Sequence, residues 1–208
     1  MPVTLRPRSP SRYPSAWRTS ANLDIFLATM TAPIPPDESR RLLQHFLAAL
    51  AYRTQKALRG APPGFADFRA GTNLRTPHEL VMHMTSVIGY ARTFLHGGIF
   101  RPEGLPTFDE EIERFHTMLS ALSADFGNKR LLAGITDEQF LQGPLSDAMT
   151  HAGQLAMLRR LHGDPVPSEN FIFAAIAPEN VSSDQPEPAR PDLDWSKDRP
   201  PRRVRPDT

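Results

Sequence analysis

Apolar residues recur at spacings of three and four along four segments of this chain, which is the pattern of an amphipathic α-helix. The first segment runs from about Asp37 to Leu58, and Gly60 follows it as a plausible stop. Its predicted buried positions are Leu43, Phe46, Leu47, Leu50, Thr54 and Ala57. No segment shows the sustained alternation of apolar and polar residues that is typical of a strand. The pattern therefore predicts an all-α fold.

The second and third segments each begin with a clear helix-start signal. Thr76 is followed by Pro77 and then by Glu79, and Thr107 is followed three residues later by Glu110. A threonine three residues before a glutamate can form a capping box, in which each side chain binds the backbone N–H of the other. The predicted inward-facing residues are Leu80, His83, Val87, Tyr90 and Phe94 on the second helix, and Phe108, Ile112, Phe115, Leu119 and Leu122 on the third.

The fourth segment, from Gly143-Pro144 to Gly163, carries polar side chains on the side that should be buried. At about 100° per residue, Asp147, His151 and Gln154 fall close together on this helix. They share that side with Met157, Leu155, Leu158 and Leu161, whereas Arg159 and Arg160 are predicted to point away. Burying an acid and an imidazole without partners costs on the order of several kcal/mol. These side chains therefore need a hydrogen-bond partner or a metal ion in the folded protein.

Four amphipathic helices of this length predict a four-helix bundle over residues 37–182. Seven of the 22 prolines lie in residues 1–36 and six lie in residues 183–208. We therefore expect 1–36 to be a flexible N-terminal arm and 183–208 to be a proline-rich, charged, poorly ordered tail. The basic N-terminus faintly resembles a transit peptide; alternatively, Met30 is the true start and residues 1–29 are not part of the protein.

Composition narrows the chemistry that this chain can perform. The sequence contains no cysteine, which excludes disulfides, thiolate metal sites and a cysteine nucleophile. A formal net charge of +1 and the lack of a basic stripe with interleaved aromatic residues argue against nucleic acid as a partner. No apolar run is long enough to span a membrane, so a cytoplasmic protein is the expectation.

The inward-facing polar residues on two helices suggest a metal site. His83, Asp147 and His151 would give two imidazoles and one carboxylate, a set that suits zinc, nickel, manganese or ferrous iron and leaves positions open. In the alternative interpretation these side chains bind one another by hydrogen bonds, with no ion. Gln154 could orient a ligand or tie two helices together. Tyr90 could line the pocket or pack in the core.

These residues resemble the DinB/YfiT-like superfamily of four-helix metalloenzymes, a resemblance that covers most of residues 37–182. It rests on the segments 76–83 (TPHELVMH) and 143–155 (GPLSDAMTHAGQL), with 158–161 and 167–171 similar to the end of the domain. The resemblance implies a metal held by three histidines, one on the second helix and two on the fourth. His83 and His151 match two of them, and this chain departs from the pattern at Asp147, which replaces the third.

The resemblance also implies a function. Members of the family include transferases and isomerases that use a low-molecular-weight thiol, so we expect a divalent metal that activates such a thiol or a water molecule for reaction with a small-molecule substrate. A metal-dependent hydrolase differs from this only in its substrate. The remaining alternative is a non-catalytic bundle whose polar core serves self-association or partner binding, and a homodimer is compatible with each of these functions.

Overall fold

The fold is all-α, as predicted, in a computed structural model that describes residues 36–188. The expectations for 1–35 and for 189–208 lie outside the described residues. The helices, in chain order, are α1 (Pro36–Leu58), α2 (Pro77–His96), α3 (Phe108–Gly127), the short α4 (Asp137–Phe140) and α5 (Ser146–Leu161), followed by a single 3-10 turn at Phe171–Phe173. Within residues 36–188 no helix combines the length and the apolar character that crossing a bilayer requires.

The long helices α1, α2, α3 and α5 form the predicted four-helix bundle. Helix α2 packs against α3 and α5, and α1 packs against the same two helices. The completely buried residues at the centre include Leu47, Leu50, Met84, Ile88, Leu119, Leu122 and Leu155. On α1 the predicted buried positions are confirmed, with Phe46 only partly buried. The core therefore lies against the faces of α1 and α3 that the spacing of their apolar residues predicted.

Both predicted capping boxes are present and fix where α2 and α3 begin. The Glu79 N–H donates to Thr76 Oγ1 over 3.1 Å, and the Thr76 N–H donates to Glu79 Oε2 over 2.8 Å. Thr107 and Glu110 make the same reciprocal pair. These bonds satisfy N–H groups that have no partner within the helix, so the first turn of each helix is held in register.

The start of the last long helix differs from the prediction. Gly143 and Pro144 lie in a π-helical turn, Leu141–Leu145, that joins α4 to α5. The backbone bends there because Gly143 leaves the helical region (φ −84°, ψ −106°), and α5 begins at Ser146. The bend sets the direction in which the first turns of α5 approach α2.

The buried face of α2 also differs from the prediction. Its buried residues are Pro77, Leu80, Val81, Met84, Thr85, Val87, Ile88, Gly89 and Ala91. That face is centred near Met84 and Ile88, about a quarter of a turn from the predicted one. Tyr90 therefore lies outside the core, with 53 % of its surface exposed, and its ring contacts Phe94 edge-on. Leu80 and Val87 are buried as predicted, but the buried face extends to the side of α2 that carries Gly89, on which the Phe100 ring packs, and not to Tyr90.

On α5, the predicted directions of Arg159, Met157 and Leu161 were wrong. Arg159 was predicted to point away, but it is buried, and its guanidinium donates to the carbonyl oxygens of Ala57, Arg59 and Gly60 at the end of α1. The orphan carbonyls of a helix C-terminus are natural acceptors for a cation. Conversely, Met157 and Leu161 are half-exposed, at 51 % and 58 %.

Candidate metal centre

His83, Asp147 and His151 lie together where α2 packs against α5. One ligand atom from each side chain lies within 4.8 Å of the other two. The rings of His83 and His151 meet edge-on, with centroids 4.7 Å apart, and Asp147 Oδ1 lies 3.4 Å from His151 Nε2. Donors bound to a single ion stand roughly 3 to 4 Å apart, so the observed spacing is close to that of a ligand set. The three predicted ligands thus share one site.

The hydrogen bond of His151 decides which ring nitrogen could bind an ion. Its Nδ1 donates to Gln154 Oε1 over 2.8 Å, and a carboxamide oxygen can only accept. The proton of a neutral His151 therefore resides on Nδ1, and the lone pair resides on Nε2. That Nε2 atom is buried and has no hydrogen-bond partner. A buried lone pair 3.4 Å from a carboxylate oxygen, on a ring that packs against a second imidazole, is an arrangement that a cation would satisfy.

The environment of His83 keeps this residue in the form that a metal ligand needs. Desolvation by partial burial lowers the pKa of His83, and the positive charge of Arg75 and the ring of His151 lower it further. Asp147 opposes this shift. Since an imidazole must be neutral to bind a metal, His83 is available as a ligand at neutral pH.

The centre has a buried end and an exposed end. The side chain of His151 is 9 % exposed, whereas that of Asp147 is 51 % exposed. Gln154 is exposed as well, so the expectation that Asp147 and Gln154 are buried was wrong. The polar side of α5 lies at the mouth of the site rather than in the core, and solvent can therefore hydrate both side chains.

Two adjacent cavities reach the centre from the surface. One, of about 420 Å³, is lined by His83 together with Arg69, Glu79, Met82 and Ser86. The other, of about 600 Å³, is lined by His151 and Gln154 together with Ala70, Leu80, Met157, Leu158 and Leu161. Both volumes are in the range of small-molecule sites. Tyr90, which was predicted either to line the pocket or to pack in the core, lines neither of these two cavities.

The loop before α2 lines both cavities and was missed as part of the site. Asn73, Leu74 and Arg75 line both cavities. The backbone turns at Asn73, whose φ of 63° is in the left-handed region that asparagine tolerates. Arg69 holds the loop by donating to the carbonyl oxygen of Leu74 over 3.1 Å. The sequence contained one signal for Arg75, which is its position directly before the N-cap Thr76. That position holds Arg75 beside the first turns of α2.

Comparison with protein-family models, with curated proteins and with solved structures finds no match to this chain. Membership of the DinB/YfiT-like superfamily stays a prediction that rests on the quoted sequence segments.

Proposed function

We propose that this protein binds one divalent metal ion through His83, Asp147 and His151 and acts as a metal-dependent enzyme on a small molecule. The observation that carries the proposal is the meeting of the three side chains around the buried Nε2 of His151, which has no hydrogen-bond partner and lies 3.4 Å from Asp147 Oδ1. Two imidazoles and one carboxylate suit zinc, nickel, manganese or ferrous iron.

Each residue of the centre has a distinct role in this proposal. Gln154 fixes the tautomer and the ring orientation of His151. His83 supplies a neutral imidazole from the opposite helix. Asp147 supplies negative charge at the exposed end, next to the solvent from which a substrate would enter. A divalent ion held by these residues would act as a Lewis acid that lowers the pKa of a thiol or of water.

The reaction class comes from the family resemblance rather than from the site. Transfer or isomerisation with a low-molecular-weight thiol is the first choice, and hydrolysis is the alternative. Both reactions use the same three ligands, and both need a cavity of small-molecule size beside them, which the chain has. We also propose the cytoplasm as the location and a homodimer as an assembly to test.

Metal analysis tests the proposal directly. Protein purified without a histidine tag is incubated separately with zinc, nickel, manganese and ferrous iron, desalted and analysed for metal. We expect the wild type to retain one of these ions at a stoichiometry near one, and H83A and H151A to lose it. The matched control is H45A, because His45 is an exposed histidine on α1. A wild type that stays metal-free with all four ions contradicts the proposal.

Thermal unfolding gives an independent measurement. A ligand at about 100 times its dissociation constant stabilises the folded state by about 2.7 kcal/mol, so a chelator should lower the melting temperature of the metal-loaded wild type. It should not lower that of H151A. If the melting temperature of the wild type is unchanged by the chelator, and double replacement of Asp147 and His151 by apolar residues is neutral or stabilising, the bundle is a non-catalytic one.

A further inference from the structure

The larger cavity beside the centre combines three chemically different surfaces. His151 and Gln154 stand on one side of it, Arg75 stands at the loop that borders it, and apolar side chains form the remaining wall. A cavity of about 600 Å³ with mostly apolar lining and a few polar groups is typical of a site for a small organic ligand. The chemistry of the lining can therefore indicate the class of ligand.

Arg75 carries a positive charge that no acidic group of the bundle neutralises. Within residues 36–188 its guanidinium makes neither a hydrogen bond nor an ion pair, although its charge acts on His83. Its neighbour Arg69, which lines the smaller cavity, is paired with Glu79 over 2.8 Å. Of these two arginines, only Arg75 is thus available to a ligand. A planar guanidinium can bind a carboxylate through two parallel hydrogen bonds.

The apolar wall of this cavity is partly exposed to solvent, and a bound ligand would cover the exposed surface. Leu74, Met157 and Leu161 are each more than half exposed, and all three line this cavity. They come from two different parts of the chain, the loop before α2 and the last turns of α5. An apolar ligand body lying against them would remove their surface from water.

We propose that this cavity binds a small organic carboxylate, with its acid group on Arg75 and its apolar body along Leu74, Met157 and Leu161. The ligand then lies beside the metal centre, and the class of substrate or co-substrate is an amphipathic acid. The assignment of this ligand as a substrate or co-substrate rests on the proposed function. The anion site itself depends only on Arg75 and the apolar wall. A phosphate ester could use the same guanidinium, so the test includes one.

The test uses hexanoate as the probe and the full chain, both metal-loaded and chelator-treated. Titration calorimetry on the chelator-treated protein avoids direct binding of the carboxylate to an ion. We expect R75Q to weaken hexanoate binding about tenfold or more, which is typical of a lost charged hydrogen bond, and to leave hexanol binding unchanged. M157Q and L161Q should weaken both probes. R101Q is the matched control, since Arg101 is exposed and lines neither cavity.

Several results would overturn the inference. If hexanoate fails to bind the wild type, or binds R75Q as tightly as the wild type, Arg75 does not bind the carboxylate. Preference for hexyl phosphate over hexanoate removes the carboxylate assignment. In manganese-loaded protein, hexanoate resonances should broaden relative to zinc-loaded protein, and the absence of broadening would mean that the ligand binds away from the centre.

Metal content measured on the same samples separates the two proposals. If the protein takes up metal but does not bind hexanoate, only the proposed anion site is contradicted. Arg75-dependent hexanoate binding to a protein that takes up no metal contradicts only the proposed function.

Discussion

At the scale of single residues, the candidate metal centre depends on which hydrogen bonds and contacts each polar side chain makes. Helical spacing placed Asp147 and His151 one turn apart on one helix and suggested His83 from another, and all three meet. Helical spacing does not reveal whether a ring nitrogen has a hydrogen-bond partner, so only the three-dimensional structure could show that Nε2 of His151 has none. Arg75 was missed for a related reason: loops have no periodicity from which a direction can be inferred.

Replacing Asp147 tests the residue at which this chain departs from the three-histidine pattern of the superfamily that it resembles. D147N removes the charge but keeps the size, and we expect zinc affinity to fall by tenfold or more, about 1.4 kcal/mol. D147H supplies a softer nitrogen ligand and should bind zinc more tightly while binding manganese less well. Competition with a zinc indicator measures both affinities. Equal affinity for zinc in D147N and wild type would show that Asp147 is not a ligand.

Gln154 should affect metal affinity without touching the metal. Outer partners of a metal-binding histidine contribute about 10- to 100-fold to affinity, and the exposure of Gln154 favours the lower end of that range. We expect Q154L to lose about tenfold, because Nδ1 of His151 loses its acceptor, and Q154E to retain or improve the affinity. The same competition assay checks both variants. If Q154L binds as tightly as the wild type, His151 is oriented by something else.

At the scale of elements, the sequence predicted the starts of α2 and α3 well, but it predicted the start of α5 and the buried faces of α2 and α5 less well. The boxes at Thr76 and Thr107 are local, so their four-residue patterns contain all that the backbone needs there. The face of α2 depends on which neighbours it contacts, and that information is not local. Tyr90 was assigned to the wrong side of α2 for this reason.

Gly89 on α2 shows how close packing is built into an element. A Cβ added to Gly89 would lie 2.0 Å from Cδ1 of Phe100, whose ring covers this helix position. We expect G89A to destabilise the fold by about 1–3 kcal/mol, because the Phe100 ring must move. The matched control is G153A on α5, where a Cβ meets nothing within 4 Å and alanine should stabilise by about 0.5–1 kcal/mol. Urea unfolding measures both, and an unchanged midpoint for G89A would mean that Phe100 is loosely held.

At the scale of the whole molecule, the segment after α5 ties the bundle together. Glu169 accepts hydrogen bonds from Tyr52 over 2.7 Å and from Lys56 over 2.8 Å, both on α1. Farther along, the carbonyl oxygen of Val181 accepts a hydrogen bond from Nδ1 of His116 on α3 over 2.9 Å. This contact joins residues 65 positions apart along the chain, so the local spacing of residues on α3 could not predict it.

Stability should therefore depend on pH through His116. Burial lowers the pKa of His116, although its bond to Val181 opposes the shift. As pH falls below the ordinary value of about 6.5, His116 takes up a proton in the unfolded chain before it does so in the folded chain. The unfolded state then binds more protons, so the free energy of unfolding decreases as pH falls from 7 toward 5.

H116N isolates this contribution, because an asparagine amide can donate to Val181 but does not titrate. We expect the wild type to lose more stability than H116N between pH 7 and pH 5, measured as the urea midpoint at each pH. His83, whose pKa is also lowered, contributes equally to both proteins and cancels in the comparison. Parallel losses in the two proteins would show that the segment carrying Val181 does not keep His116 buried in solution. A smaller loss in H116N would link the closing segment to the bundle through one buried imidazole.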